Sequence, residues 1–295
     1  MFGGIAKLKA DWLLDAQPLS LWLGRSSDVP LLGQLFASTW APHLMSWAGA
    51  LFDLSIVPLL LWRRSRPLAY VAVVGFHLLT ARLFSLGMFP YFMICGSLLF
   101  LAPDWPRRAV SRWSSVVETE RERAQGSSSG WESSRWLRAG LVIYFALQVL
   151  IPLRHLAYPG QMCWTEQGFR FSWNVMLMEK DGAVDFRVVE RGTGRTFHVS
   201  PRAYFTPYQS AMMAPQPDMV LEAARLVAAD FRARGVDEPA VFADAFASLN
   251  GRPMRRLIDP NIDLSREVDG LANKPWILPM SASQEAEVAT LGSYP

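Results

Sequence analysis

The chain has little of what metal, redox and phosphate sites are made from. Its two cysteines, Cys95 and Cys163, lie one inside an apolar segment and one beyond it, so no structural disulfide is expected. The four histidines (His43, His77, His155, His198) are scattered, and there is no CxxC, HExxH or carboxylate ladder. Those absences exclude the familiar zinc patterns and give no metal site. "RGTG" is too short for a phosphate loop and reads as a hairpin turn, and no Ser-His-Asp set follows from spacing. Charge is also scarce, at 19% of residues and +3 net. The cations sit in short clusters (Arg63, Arg64, Arg66; Arg107, Arg108), which suits membrane flanks better than nucleic acid. The start "MFGGIAKLK" lacks the apolar core of a cleavable signal.

Apolar residues are abundant, at 51% with 12 Trp and 17 Phe, and they are unevenly spread. Residues 44–62, "LMSWAGALFDLSIVPLLLW", can cross a bilayer and carry one charge, Asp53. The apolar run from Pro67 to Pro103 is broken by Gly87 and Pro90 into pieces at 68–86 and 90–102. The second piece is either a tilted span or a re-entrant segment. Residues 137–153 form a further span. "RRSR" and "WPRR" read as cytoplasmic, which places residues after His155 on the opposite side; a re-entrant third piece would reverse that parity. The Ser-, Arg- and Glu-rich stretch 107–136 reads as a polar, flexible linker.

The remainder reads as a β-rich unit. "EKDG" and "RGTG" predict hairpin turns of an antiparallel meander, and "PDMVLEAARLVAADFRARG" predicts an amphipathic helix. "AVFADAFASLN" fits helix by its alanines and strand by its pattern, and the tail after Pro275 reads as weakly structured. The fold class is therefore α+β: a helical transmembrane bundle of about three to four spans, then a β-rich extramembrane domain with at least one amphipathic helix. The domains are 1–106 (membrane helices), 107–136 (linker), 137–153 (a further span) and 154–295 (β-rich).

Polar residues within the apolar spans carry the chemistry, because charge at membrane depth is expensive. One reading of Asp53, His77 and Arg82 pairs Asp53 with Arg82 and bonds His77 to a backbone carbonyl; the other has them line a polar cavity. "IAKLKADW" adds Lys7 and Lys9, which either snorkel to water or supply an amine able to accept a proton in apolar surroundings. "FRFSWN" reads as a packed strand or, alternatively, as part of a site.

Taken in order, "KLKADW", "FHLLTARLFSLGMFPYFM", "LAPDWPRR", "CWTEQGFRFSWNVM" and "IDPNID" resemble the vitamin K-dependent γ-glutamyl carboxylase family. Bacterial members are called HTTM-domain proteins. The match runs from Ile5 to about Pro279, nearly the whole chain. The resemblance implies a multi-pass membrane enzyme, a lyase of the peptidyl-glutamate 4-carboxylase type, with its β-rich domain on the periplasmic or lumenal side. It implies reduced vitamin K (a phylloquinol- or menaquinol-type hydroquinone) as cofactor, O2 and CO2 as co-substrates and no metal. It implies a glutamate-containing protein or peptide and the lipid bilayer as partners, and no nucleic acid.

Residue by residue, the resemblance makes Lys7 the general base for the quinol. His77 and Arg82 line the cofactor cavity, and Trp164, Phe169, Arg170, Ser172 and Trp173 lie near the glutamate substrate. Lys9 stands where the animal enzymes commonly carry an acid, and Arg170 where they carry a small residue. The family also has membrane helices upstream of the lysine motif, so an N-terminally truncated member is expected. The alternatives are a quinol epoxidase-like protein without carboxylation and a non-catalytic membrane binding protein.

Overall fold

The computed structural model describes residues 1–25, 33–36, 38–84, 86–106 and 135–280, in two compact units that meet at Gln148 and Val149. The linker expected at 107–136 therefore lies mostly outside the described residues.

The first unit is helical. Four short helices, α1 (Phe2–Ala6), α2 (Ala10–Leu13), α3 (Leu19–Gly24) and α4 (Gly33–Phe36), precede α5 (Ala41–Leu61), α6 (Arg66–Leu83) and α7 (Phe89–Ser97). A 3-10 turn, Leu98–Phe100, extends α7, and α8 (Arg135–Leu153) leads out of the unit. Gly87, at φ +57°, and Pro90 in the first turn of α7 end the α6 run as the sequence predicts. Helix α5 is apolar on every side and leaves Leu44, Trp47 and Leu51 exposed, a surface suited to lipid. Among the described residues two helices are long and apolar enough to cross a membrane: α5, and α8 with its 3-10 extension to Ala157. Helix α6 carries Arg66 and Arg82 near its ends, and the α7 segment is short.

The second unit holds α9 (Met162–Thr165), β1 (Lys180–Glu190), β2 (Thr196–Val199), α10 (Pro207–Met213), α11 (Pro217–Ala233), β3 (Pro239–Leu249) and β4 (Arg255–Arg256). The sheet is antiparallel in the order β2-β1-β3-β4. "RGTG" makes the β1–β2 turn, with Gly194 at φ +72° donating to the Glu190 carbonyl at 2.8 Å. "AVFADAFASLN" resolves as strand, for a packing reason. Ala243, Ala245 and Ala247 alternate inward, opposite Phe186, Val184 and Gly182 of β1, while Phe242, Asp244 and Phe246 alternate outward. Small inward residues let α11 lie close, and it buries Val220, Leu221, Ala224, Val227, Ala228 and Phe231. Met219 and Leu226 of the same helix remain exposed. Outward, Arg187 covers the Phe242 ring at 4.6 Å and Arg256 the Phe246 ring at 4.7 Å, so those rings stay shielded.

Three expectations are corrected. "EKDG" is no turn: Lys180 already pairs with Leu249 at the start of β1, and Gly182 sits where a Cβ would meet the Phe246 carbonyl and the Pro215 nitrogen at 2.9 Å. "FRFSWN" is no strand: Phe171 (φ 63°) and Trp173 (φ 60°) adopt left-handed backbone. The chain after Pro275 is packed as far as it is described, with Trp276 1% exposed and Ile277 bridged to Ile258.

Candidate functional site

The segment "KLKADW" is fastened to α5. Trp12 is buried, and its Nε1 donates to the Ser46 carbonyl at 2.9 Å while Ser46 Oγ donates to the Trp12 carbonyl. Trp47 Nε1 donates to the Leu13 carbonyl at 3.0 Å, and His43 Nε2 lies 3.0 Å from the Leu14 carbonyl. Helix α1 meets the same face through glycine. A Cβ on Gly4 would lie 2.9 Å from the Leu54 nitrogen and 3.0 Å from the Asp53 carbonyl carbon, so only glycine allows this approach.

Lys7 follows α1, and its Nζ donates to Asp53 Oδ2 at 2.6 Å. The two side chains are 13% and 25% exposed, and the Lys7 ammonium lies 5.3 Å from the centre of the Trp12 ring. A charge-assisted bond of this length, largely away from water, is a strong one. Asp53 is thus paired with Lys7 and not with Arg82. The reason is reach: Gly4 brings α1 against the turn that carries Asp53.

Next to Asp53, Phe52 stacks on Phe76 with ring centres 4.0 Å apart. The buried His77 ring sits edge-on to both, 6.2 Å from Phe52 and 5.3 Å from Phe76. His77 is close enough to Asp53 to feel its charge, and its ring makes no carbonyl bond among the described residues. Arg82 is exposed near the end of α6. Five residues on a helix turn about 140°, so the structure does not bring His77 and Arg82 together.

The second unit carries the other expected residues, which it sorts by depth. Trp164 is 1% exposed, with Nε1 donating to the Leu278 carbonyl at 2.8 Å. Ser172 is buried and accepts from Asn174 Nδ2 at 3.0 Å, and Phe169 packs against the core. Trp173 is exposed, with its ring centre 6.0 Å from that of Phe171. Arg170 is exposed and bonds Asp218 twice, at 3.0 and 2.5 Å. That bond to Asp218 holds its guanidinium pKa above the ordinary arginine value. Arg170 lines a cleft of about 370 Å³ with Arg154, Tyr158, Glu166, Asp218 and Lys274.

Beneath this segment lies an ion pair that sequence reasoning missed. Lys180, 3% exposed, donates to Glu166 Oε1 at 2.8 Å and to the Trp164 carbonyl at 2.6 Å, with its Nζ 5.6 Å from the Trp164 ring. Burial pushes the Glu166 carboxyl up, against the pull of Lys180. Burial likewise pushes the Lys180 ammonium down, against the pull of Glu166. Reading "EKDG" as a turn hid Lys180 in plain view. Asp53 was visible in the sequence, but its partner was not.

Family comparison covers both units. Residues 1–105 match the HTTM domain, and residues 133–283 match the lumenal domain of vitamin K-dependent gamma-carboxylase. The chain belongs to the vitamin K-dependent gamma-carboxylase family. No solved structure matches it.

Membership of the gamma-carboxylase family supports a carboxylase-like function and implies a vitamin K hydroquinone as cofactor. The chemistry around Lys7 is compatible with such a group: its part-buried amine is bonded to the Asp53 carboxylate and lies against the Trp12 ring. Among the described residues no group of three His, Cys, Asp or Glu side chains could hold a metal ion.

Proposed function

We propose that the chain is a vitamin K hydroquinone-dependent membrane carboxylase, with Lys7 as the general base that takes the first proton. The Lys7–Asp53 contact at 2.6 Å carries the reading. In this reading Asp53 fixes the position of the amine, and Lys7 in its neutral form takes the hydroxyl proton of a bound hydroquinone. When bound and oxidised by O2 to its epoxide, the hydroquinone supplies the strong base that frees glutamate of a γ-proton so that CO2 can add. Trp12, Phe52, Phe76 and His77 would hold the ring and keep out water that would quench such a base. Trp164, Phe169, Ser172 and Trp173 would shape the glutamate side, with Trp173 as the exposed contact.

Placing the β-rich unit on the periplasmic side, with the arginines after α5 cytoplasmic, requires α6 and the α7 segment either both to cross or neither to cross. Helix α6, with 18 residues, is about 27 Å long, close to the hydrocarbon thickness. The family's lumenal domain and the arginines at the start of α8 (Arg135, Arg138) support this sidedness.

One observation favours a second reading, quinol epoxidation without carboxylation. Trp164 is turned inward onto Leu278, and the guanidinium of Arg170 already has a carboxylate partner in Asp218. Assaying quinol epoxidation and glutamate-dependent CO2 incorporation in parallel, in membranes carrying the chain and its Lys7→Ala variant, separates the two. The carboxylase reading expects both activities and the loss of both in Lys7→Ala. The epoxidase reading expects only the first.

A further inference from the structure

Exposed apolar side chains gather at the turn where α8 ends. Leu153 and Leu156 are 42% and 72% exposed. The loop after α9 is packed onto this turn: Arg154 Nη2 donates to the Arg170 carbonyl at 2.6 Å, and a Cβ on Gly168 would lie 2.7 Å from His155 Cα. From there Phe171, Trp173 and Val175 point outward, while the intervening Ser172 and Asn174 are buried. The left-handed backbone at Phe171 and Trp173 produces this arrangement, and such backbone is unfavourable for bulky residues. A second loop joins the same turn, with Tyr158 Oη donating at 2.7 Å to the carbonyl of Leu271, whose side chain is 82% exposed.

A soluble surface gives no reason to hold aromatic rings outward at a backbone cost; a contact surface does. The location names the contact. The helix immediately before Arg154 is long and apolar enough to cross a bilayer, so groups bonded to Arg154, His155 and Tyr158 lie at the depth where it emerges. Aromatic rings settle at that depth. We propose that Leu156, Phe171 and Leu271 form an apolar collar that seats the C-terminal unit in the interfacial zone of the lipid bilayer.

The test uses the full chain in phosphatidylcholine–phosphatidylglycerol vesicles, with Cys95→Ala and Cys163→Ala. Single cysteines from Phe171→Cys, Leu271→Cys and, at the β1–β2 turn, Gly192→Cys are labelled with an environment-sensitive fluorophore. Shallow acyl-chain nitroxides should quench the labels at 171 and 271 at least about threefold more than the label at 192. Equal quenching at the three positions overturns the proposal. So does a label at 171 that ignores the lipid nitroxide and responds instead to a glutamate-containing peptide, which would make this a polypeptide surface. The positions sit on separate loops, so if one variant misfolds by circular dichroism the other still decides. None of these outcomes depends on whether the chain is a carboxylase.

Discussion

Lys7 and Lys180 are both largely buried lysines bonded to a carboxylate, yet their surroundings assign them different work. Lys180 has a second bond, to the Trp164 carbonyl, and lies under a packed segment, so it ties structure together. Removing one partner of a buried ion pair leaves an uncompensated charge, so Lys180→Met should cost about 3–5 kcal/mol at neutral pH. The pH dependence has a definite sign. Burial raises the Glu166 carboxyl, so the folded state binds that proton more tightly, and this contribution is greatest in acid and lost as pH rises through the raised value. Without Lys180 nothing offsets that rise. The deficit of Lys180→Met should therefore shrink from neutral pH into the acid range, as Glu166 becomes neutral on passing below its raised value. Unfolding midpoints of the detergent-solubilised chain across that range check it, and a deficit that does not vary with pH contradicts it.

Tyr204 offers a second residue-scale test. Burial, and then its bond to Asp230 at 2.5 Å, push the phenol up to about 12. Its stabilising contribution is then complete below the ordinary phenol value of about 10 and is lost as pH rises through the raised one. In ultraviolet titration, one tyrosine transition near 12 should disappear in Tyr204→Phe.

At the scale of elements, the site depends on how closely α1 approaches α5. Gly4→Val would push α1 off Leu54 and carry Lys7 away from Asp53. Quinol epoxidation should then fall as far as in Lys7→Ala. Gly75→Ala, with nothing within 4 Å, is the control and should stay within about twofold of the parent. Elements were legible in the sequence where periodicity was strong: α5, α8 and α11 stand close to their expected places. Where pattern and turn chemistry competed, local reading failed. In β3 the alanines look helical, and only the helix packed over them explains why they alternate. "EKDG" has turn residues, but the long β1–β3 pairing overrides them.

At the scale of the whole molecule, composition and motif order pointed to the family and to an α+β chain, and family comparison agrees. The expected count of three to four spans rested on apolar runs alone. Among the described residues two helices have full length and hydropathy, because α6 carries arginines near its ends and the α7 segment is short. Of the site, the motif singled out Lys7, but its partner lies 46 residues away, and only the fold brings the two together. Arg170 shows the opposite limit, since the resemblance placed it near the glutamate substrate and the fold pairs it with Asp218.

The central claim is that Lys7, seated on Asp53, is the base of a hydroquinone-dependent carboxylase. Its most direct test measures vitamin K epoxide and labelled CO2 in peptide glutamate together, in membranes bearing the chain or its Lys7→Ala variant. The prediction is that the unmutated chain forms both products and that Lys7→Ala lowers both by about 10²–10⁴-fold, the usual worth of a general base. Neither product from the unmutated chain, or both undiminished in Lys7→Ala, would contradict it.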